Sequence, residues 1–365
     1  MSRTLHIISH SHWDREWHQT YQQFRLRLIQ LIDDVLAVMA TGDAFPFFML
    51  DGQTIMLEDY LEIRPERAAE LKALIQSGRL LIGPWYIQPD EFLVSGEAII
   101  RNLLLGARIS KEWGGYMRVG YVPDQFGHIA QLPQIWRGFG IDNAVLWRGV
   151  ERAKGGTAYN WQGLDGSTVH VAALPDGYSH AHRLPLRGQP KAERLRALAR
   201  SLEPLARDGS PLLIMNGGDH VGVQSELPAG IGAAQEALGD DYTLRHSTIP
   251  AYIAALREAG TPDTVIDGEL RSSRDAFLLP GVASARMWIK QRNAQAQVLL
   301  ERFAEPVATF AAGLGRPYPA GALRQSWRYL LQNQPHDSIC GCSIDQVHRE
   351  MVTRFDWSEQ IAESL

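Results

Sequence analysis

The chain has 365 residues, with 36 Lys and Arg against 41 Asp and Glu, a formal net charge of −5 and 45% hydrophobic residues. This length allows one large domain or two medium ones, and the hydrophobic fraction is that of an ordinary globular core. The acidic balance excludes a protein that depends on a basic surface to bind nucleic acid. No apolar run approaches the roughly 18 residues that a membrane span requires. We also find no basic segment followed by an apolar one at the N-terminus, which predicts a cytoplasmic protein.

Strand and helix signals alternate along the first two thirds of the chain. The pattern predicts strands at 5–8, 79–82, 119–122, 144–147, 168–173 and 211–215. It predicts helices at 22–39, 65–76, 96–112, 130–138 and 191–207, and residues 45–50 form a further apolar run. Residues 183–190 are predicted to form a loop. Strands that alternate with helices are typical of an α/β fold with a mostly parallel sheet.

The last third has a different character. Helical patterns cover 283–313, 322–334 and 344–363, and strand signals are lacking there. Three successive helices predict a small bundle. The sequence therefore predicts an α/β domain at 1–279, followed by a helical bundle domain at 280–365.

Chemically capable side chains follow the predicted strands. In an open α/β sheet, ligands bind at the carboxyl ends of the strands. The residues found at these ends are His10, His12, Asp14, Asp51, Trp85, Asp124, Arg148 and Asp219. The predicted fold can therefore gather these side chains at one rim.

His12 and Asp14 are two residues apart, so in an extended segment their side chains point the same way. A mixed nitrogen and oxygen donor set suits Zn²⁺ or a similar divalent ion. The alternative is an ordinary surface loop. Asp124 follows Pro123, which ends a strand, and its alternative role is to cap a helix that begins near Ile129.

His336 lies in the segment Q-P-H-D-S-I-C-G-C at 334–342. One explanation is a cationic group at a helix C-terminus, and the other is a metal ligand supplied by the bundle. Cys340 and Cys342 are the only cysteines. Two thiolates alone are too few for a structural zinc site, and C-x-C is poorly spaced for a disulfide. The simplest interpretation is that both are small buried residues.

Five segments together resemble the α-mannosidases of glycoside hydrolase family 38, in particular the bacterial branch that includes mannosylglycerate hydrolases. The segments are H-S-H-W-D-R-E-W at 10–17, G-P-W-Y-I-Q-P-D-E at 83–91, V-P-D-Q-F-G-H at 122–128, S-x-R-x-x-x-K at 284–290 and Q-P-H-D-S-I-C-G-C at 334–342. The resemblance runs from residue 5 to about 350. It implies a mostly parallel, seven-stranded type of α/β barrel-like sheet followed by the three-helix bundle.

The resemblance also implies the roles of individual residues. One Zn²⁺ per chain would be held by His12, Asp14, Asp124 and His336. Asp124 would be the nucleophile, and Asp219, in M-N-G-G-D-H at 215–220, the acid/base. A retaining glycosidase needs such a pair of carboxyl groups. The implied substrate-binding residues are Trp17, Trp85, Phe126, Arg148, Tyr178 and Asp337.

The expected function is that of a zinc-dependent retaining α-mannosidase acting on terminal α-mannosides, either oligosaccharides or mannosylglycerate-like compounds. One alternative is a metal-dependent polysaccharide deacetylase, which would use metal-activated water. Another is a catalytically incomplete mannose-binding domain, because family members usually continue into β-sandwich domains that this chain lacks. The expected partner is an α-mannoside, without nucleic acid or membrane, and a homodimer is among the open oligomeric states.

Overall fold

The structure is a computed structural model that describes residues 2–185 and 188–365. Its strands are β1 (Arg3–Ser9), β2 (Phe48–Met49), β3 (Leu80–Leu81), β4 (Gly120–Val122), β5 (Asn143–Leu146), β6 (Ala158–Gln162), β7 (Thr168–Ala173), β8 (Leu212–Asn216), β9 (Tyr242–His246) and β10 (Val265–Asp267). Its first nine helices are α1 (Tyr21–Met39), α2 (Ile55–Leu61), α3 (Ala68–Gln76), α4 (Gly96–Trp113), α5 (Leu132–Gly138), α6 (Arg152–Gly155), α7 (Gly188–Leu202), α8 (Leu227–Leu238) and α9 (Ile249–Glu258).

The strands form three sheets, with the orders β8-β1-β9, β2-β3 and β10-β6-β7-β5-β4. Every strand pair is parallel except β6 with β7, so the fold is mixed α/β with mainly parallel pairing. A parallel bridge between His10 and Met49 continues the first sheet towards the second. Closure into one seven-stranded barrel is not among the strand pairings of the described residues, and it stays a prediction.

The central strands are buried along their whole length. All five residues of β8 are buried, as are the last five of β1. Helices on the faces of a parallel sheet cause this burial, and it explains why these strands read as continuous apolar runs. In the core, Leu5 and Ile7 of β1 pack with Leu212 and Ile214 of β8 and with apolar residues of α7 and α8. The chemistry is therefore confined to the strand ends.

Several elements differ from the sequence-based expectation. Helix α7 begins at Gly188, so the loop predicted at 183–190 is too long, and residues 186 and 187 lie outside the described part. Strands β6 and β9 and helices α8 and α9 were not anticipated. In β6 the residues alternate between intermediate and fully buried, but Asn160 and Gln162 weaken the apolar signal.

The last third is helical, as expected. Its helices are α10 (Met287–Val298), a π-helical turn (Leu299–Ala304), α11 (Glu305–Gly313), α12 (Ala320–Leu331), the short α13 (His336–Cys340) and α14 (Asp345–Glu363). Helices α10, α12 and α14 contact each other. Their shared core includes Ile289, Leu330 and Phe355, and it extends to Tyr86 and Ile87 of the α/β region.

This shared core fixes the helical region against the sheets, so a residue of α13 can reach the strand ends. The division into domains at 1–279 and 280–365 stays a prediction. Within the described residues, no helix combines the length and the apolar character that a bilayer span requires.

Candidate metal and catalytic site

The segment after β1 carries His12 and Asp14 and pairs with the segment after β8. The His12 N–H donates to the Gly218 carbonyl oxygen at 3.0 Å, and the His220 N–H donates to the His12 carbonyl oxygen at 2.9 Å. This parallel bridge places Asp219 directly beside His12. Two motifs more than 200 residues apart in sequence therefore share one rim of the first sheet.

Gln88 and Pro89 of the α/β region hold the backbone of His336 in place. Pro89 and Pro335 form an antiparallel bridge, and the His336 N–H donates to the Gln88 carbonyl oxygen at 3.3 Å. His336 is the first residue of α13, while α12 already ends at Leu331. The helix C-terminus considered for this histidine is therefore wrong, and the macrodipole offers no reason for a cation here.

The structure brings together the four residues expected to bind metal. Asp14 Oδ1 lies 3.2 Å from both His12 Nε2 and His336 Nε2. Asp124 Oδ2 lies 3.4 Å from His336 Nε2 and 3.7 Å from His12 Nε2. Ligand atoms about 2.0–2.2 Å from a tetrahedral Zn²⁺ lie roughly 3.3–3.6 Å from each other. The observed spacing fits such an ion.

The donor atoms are also buried without partners. His12 Nε2, Asp14 Oδ1 and His336 Nε2 lack hydrogen bonds within the described ranges. Their residues are at most 5% exposed. Unpaired buried polar atoms are costly, and a cation bound between them would satisfy all of them. The residues present therefore fit a divalent metal ion, and His12, Asp14 and His336 form a possible metal-binding group by geometry alone.

The charges at the site reinforce each other. Burial would lower the pKa of His12, but the Asp51 and Asp14 carboxylates raise that pKa well above its usual range. Burial would raise the pKa of Asp14, but His12 lowers it well below its usual range. Asp14 therefore stays charged, and a divalent cation would take the place of the imidazolium protons, because a ligating histidine is neutral.

Asp51 is a supporting residue whose role the sequence left unassigned. Its Oδ2 atom lies 2.9 Å from His12 Nδ1 and accepts hydrogen bonds from Trp13 N–H and the Gln53 amide, both at 2.9 Å. A carboxylate on the far nitrogen of a ligating histidine fixes its tautomer and orientation. The position of Asp51 at a strand end was visible, and the usual need of such a histidine for a partner could have assigned its role.

His220 is a second supporting residue without an anticipated role. Its Nε2 atom accepts a hydrogen bond from the Asp14 N–H at 3.0 Å. Its ring also packs against Phe24, with 4.0 Å between the ring centroids. His220 therefore fixes the backbone of a metal ligand, and no sequence signal separated it from the other histidines.

The two carboxylate oxygens of Asp124 have different partners, the metal-site histidines on one side and Arg148 on the other. Oδ2 faces the histidines, and Oδ1 accepts a hydrogen bond from the Arg148 guanidinium at 2.5 Å. Arg148 is held over the Trp147 ring at 3.8 Å. Burial would raise the pKa of Asp124, but His336, His12 and Arg148 together lower it. This carboxylate is therefore ionised and fixed in orientation.

Asp219 stands on the other side of His12, and its environment differs from that of Asp124. The Tyr178 hydroxyl donates to Asp219 Oδ1 at 2.9 Å, and the Tyr178 ring lies 4.8 Å from the His12 ring. Asp219 is exposed and lines a cavity of about 640 Å³ whose walls include none of the four expected metal ligands. One carboxylate thus sits at the metal group and the other opens to solvent.

The residues expected to contact substrate have unequal surroundings. The Phe126 ring lies 5.7 Å from the His336 ring and is partly exposed. Trp17 is half-buried beside His220, with 6.5 Å between the ring centroids. Trp85, in contrast, has no exposed surface, and its indole N–H donates to the Tyr121 carbonyl oxygen at 2.8 Å. This burial contradicts the substrate contact expected of Trp85, because an aromatic residue with a satisfied N–H belongs to the core.

Two family models match almost the whole chain. Residues 2–270 match the glycosyl hydrolases family 38 N-terminal domain, and residues 278–365 match the alpha mannosidase middle domain. The chain belongs to glycosyl hydrolase family 38. This membership agrees with the resemblance found in the sequence motifs.

Individual relatives agree with the family assignment. A Halalkalibacterium halodurans protein named "Putative mannosylglycerate hydrolase" is 42% identical over 98% of this chain and 41% of its own length. The mouse protein named "Alpha-mannosidase 2C1" is 26% identical over 97% of this chain and 33% of its own length. The crystal structure of an alpha-mannosidase from Enterococcus faecalis V583 has a TM-score of 0.95 and 37% identity, covering 99% of this chain and 41% of that one. The chain thus spans less than half the length of these relatives.

Proposed function

We propose that this chain carries the catalytic centre of a zinc-dependent, retaining α-mannosidase that hydrolyses terminal α-mannosides. The observation that carries the proposal is the convergence of His12, Asp14, Asp124 and His336 on one point, in a chain of glycosyl hydrolase family 38. When bound there, Zn²⁺ would act as a Lewis acid towards the hydroxyl groups of mannose.

Asp124 is the proposed nucleophile because its charge and orientation suit an attack on the anomeric carbon. Its lowered pKa keeps it ionised, and its hydrogen bond from Arg148 stops the carboxylate from turning. The carboxylate oxygen forms a bond to the anomeric carbon as the glycosidic bond breaks, and water later cleaves this ester. Two displacements at one carbon retain its configuration.

Asp219 is the proposed acid/base. It gives a proton to the departing glycosidic oxygen in the first step and takes one from the attacking water in the second. Its exposure to the 640 Å³ cavity allows both the leaving group and the water to reach it. Tyr178 holds one oxygen of Asp219 by a hydrogen bond and so positions the group.

The cavity beside Asp219 supports a small anionic leaving group. Among the described residues of its wall, Asp219 is the only acidic one, while Arg27 and Arg183 are exposed cations there. An arginine guanidinium recognises carboxylates with paired hydrogen bonds. The name of the Halalkalibacterium halodurans relative supports the same class, a mannoside of glycerate. Glycerate is therefore the proposed aglycone, ahead of a second sugar.

Family membership disfavours the polysaccharide deacetylase. A mannose-binding domain without full activity stays the alternative, which hydrolysis of an α-mannoside by this chain would exclude. The cytoplasmic location, the single Zn²⁺ per chain and the homodimer stay predictions.

Leaving-group dependence tests the function and the acid/base together. We expect Asp219→Ala to lose about 10²- to 10⁴-fold in kcat/KM on methyl α-mannoside, whose leaving group needs a proton. The loss on dinitrophenyl α-mannoside should be far smaller, because its phenolate leaves without one. Asp240→Ala, at an exposed carboxylate after α8, is the matched control. Equal losses on both substrates would contradict the role of Asp219, and no hydrolysis by the zinc-loaded parent protein would contradict the function.

A further inference from the structure

A second group of metal-capable atoms lies beside the first. One ligand atom each of Asp337, Cys340 and Cys342 lies within 4.8 Å of the others. Cys342 Sγ lies 3.0 Å from Asp337 Oδ1. Gly341 has a left-handed backbone with φ of 87°, and this turn after α13 brings Cys342 back over Asp337. The two thiols that alone are too few for a zinc site thus gain a third donor from the fold.

We propose that Asp337, Cys340 and Cys342 form a second metal site, which binds a thiophilic divalent cation such as Zn²⁺ or Cd²⁺ and inhibits the enzyme when occupied. Two thiolates and a carboxylate are a donor set that zinc uses in proteins, at about 2.3 Å for sulfur and 2.0–2.2 Å for oxygen. Donor atoms at these bond lengths lie roughly 3.5–3.8 Å apart around a tetrahedral ion. The present donor atoms lie from 3.0 Å to at most 4.8 Å apart, a range that includes this spacing.

Two cations lie beside the C-x-C turn that would hold the metal ion. Binding replaces the two thiol protons with two metal–sulfur bonds and adds one metal–oxygen bond, which leaves one net negative charge. The Lys290 ammonium donates to the Cys340 carbonyl oxygen at 2.7 Å, and the Arg286 guanidinium donates to the Gly341 carbonyl oxygen at 3.1 Å. The Lys290 charge offsets the net negative charge of the metal complex, whereas the Arg286 guanidinium is also paired with Asp345 Oδ1 at 2.6 Å.

Access to the site runs through Cys342. Its side chain is exposed, whereas Cys340 is 0% and Asp337 is 6% exposed. The exposure of Cys342 corrects the interpretation that both cysteines are buried. A solvent-facing ion with three protein ligands keeps its fourth position for water.

Inhibition follows from the place of Asp337 in the chain, directly after His336. The sequence resemblance assigns Asp337 to the sugar hydroxyls, and a carboxylate that ligates a metal ion is withdrawn from that contact. The inhibitory effect of the second metal site rests on the function proposed above, whereas the existence of the site is argued from the geometry of Asp337, Cys340 and Cys342 alone.

Cadmium titration of the protein carrying one equivalent of zinc tests the site. We expect the parent chain to take up one further Cd²⁺ with the ultraviolet charge-transfer band of cadmium–thiolate bonds. Exchange of Cd²⁺ into the first site gives no such band, because His12, Asp14, Asp124 and His336 include no cysteine. Cys342→Ser keeps a hydrogen-bond donor towards Asp337 but lacks the sulfur ligand, and it should lose the band. Absence of the band in the parent chain, or an equal band in Cys342→Ser, overturns the site.

Activity measured in the same titration tests the inhibition. The fraction of its own activity that the parent chain retains should fall in parallel with the growth of the band, and that of Cys342→Ser should not. A full band without loss of activity overturns the inhibitory role. If neither protein hydrolyses α-mannosides, the inhibitory role fails together with the proposed function, and the band still decides the metal site separately.

Discussion

Replacing Asp51 with asparagine tests how the protein prepares a metal ligand. Asp51 is 0% exposed, and its Oδ2 lies 2.9 Å from each of His12 Nδ1, the Trp13 N–H nitrogen and the Gln53 amide nitrogen. Asparagine has nearly the same shape and keeps one acceptor oxygen for these donors. What it loses is the negative charge, which makes the His12 ring a stronger ligand.

The expected change is a weaker metal site in a folded protein. Loss of such a supporting carboxylate costs about 10- to 100-fold in metal affinity, or roughly 1.4–2.7 kcal/mol. Asp51→Ala should bind metal no better and should also destabilise the fold. The Trp13 N–H then has no acceptor, at about 1–3 kcal/mol, whereas the Gln53 amide keeps its bond to the Trp13 carbonyl oxygen.

Competition for Zn²⁺ against a coloured chelator measures the affinity, and thermal unfolding of the metal-free proteins measures the stability. We expect Asp51→Asn to unfold close to the parent temperature and to bind zinc 10- to 100-fold more weakly. Parent-like zinc affinity in Asp51→Asn would refute the reasoning, because the charge of Asp51 would then have no effect on the ligand.

Three further changes probe other parts of the structure. Arg354 and the buried Glu16 join α14 to the segment 10–17, with Arg354 Nη1 2.9 Å from Glu16 Oε2. Arg354→Met should lower the free energy of unfolding, measured by urea titration, by about 3–5 kcal/mol, because it leaves Glu16 buried without its partner. Adding Glu16→Gln should recover part of the lost free energy. Burial lowers the pKa of His348 to about 4, so the stability that this neutral ring contributes is present above its unfolded pKa of about 6.5 and is lost as the pH falls towards 4. Between pH 7 and pH 5 the free energy of unfolding of His348→Gln should therefore fall by about 2 kcal/mol less than that of the parent protein. An equal fall in both proteins would contradict this role of His348. Tyr178→Phe removes the hydrogen bond to Asp219 and should lower kcat/KM on methyl α-mannoside by about 10-fold or more, with little change in zinc affinity; a change in zinc affinity alone would contradict the positioning role.

The sequence was most informative where a residue's partners lie close to it in the chain. His12 and Asp14 share one extended segment, so their common direction followed from spacing alone. The strands β1 and β8 were visible because both faces are buried and the apolar run is continuous. The convergence of these residues with His336 came from the resemblance to a family and not from periodicity.

The remaining features depend on tertiary contacts. His336 begins α13 because the chain is pinned to Gln88 and Pro89, a bridge across more than 240 residues that no local signal reveals. The indole of Trp85 finds its acceptor on β4, in a different sheet, so a tryptophan expected at a strand end is a core residue. Cys342 meets Asp337 only because Gly341 takes a left-handed turn.

Trapping of the covalent intermediate tests the central claim most directly. A fluorinated mannosyl reagent with a good leaving group should form an ester whose second displacement is slow. The account predicts that peptide mass spectrometry of the zinc-loaded protein finds one fluoromannosyl group per chain, on the carboxylate of Asp124, and none on Asp124→Asn. Turnover of an activated α-mannoside without any adduct, or with the adduct on Asp219, would contradict it.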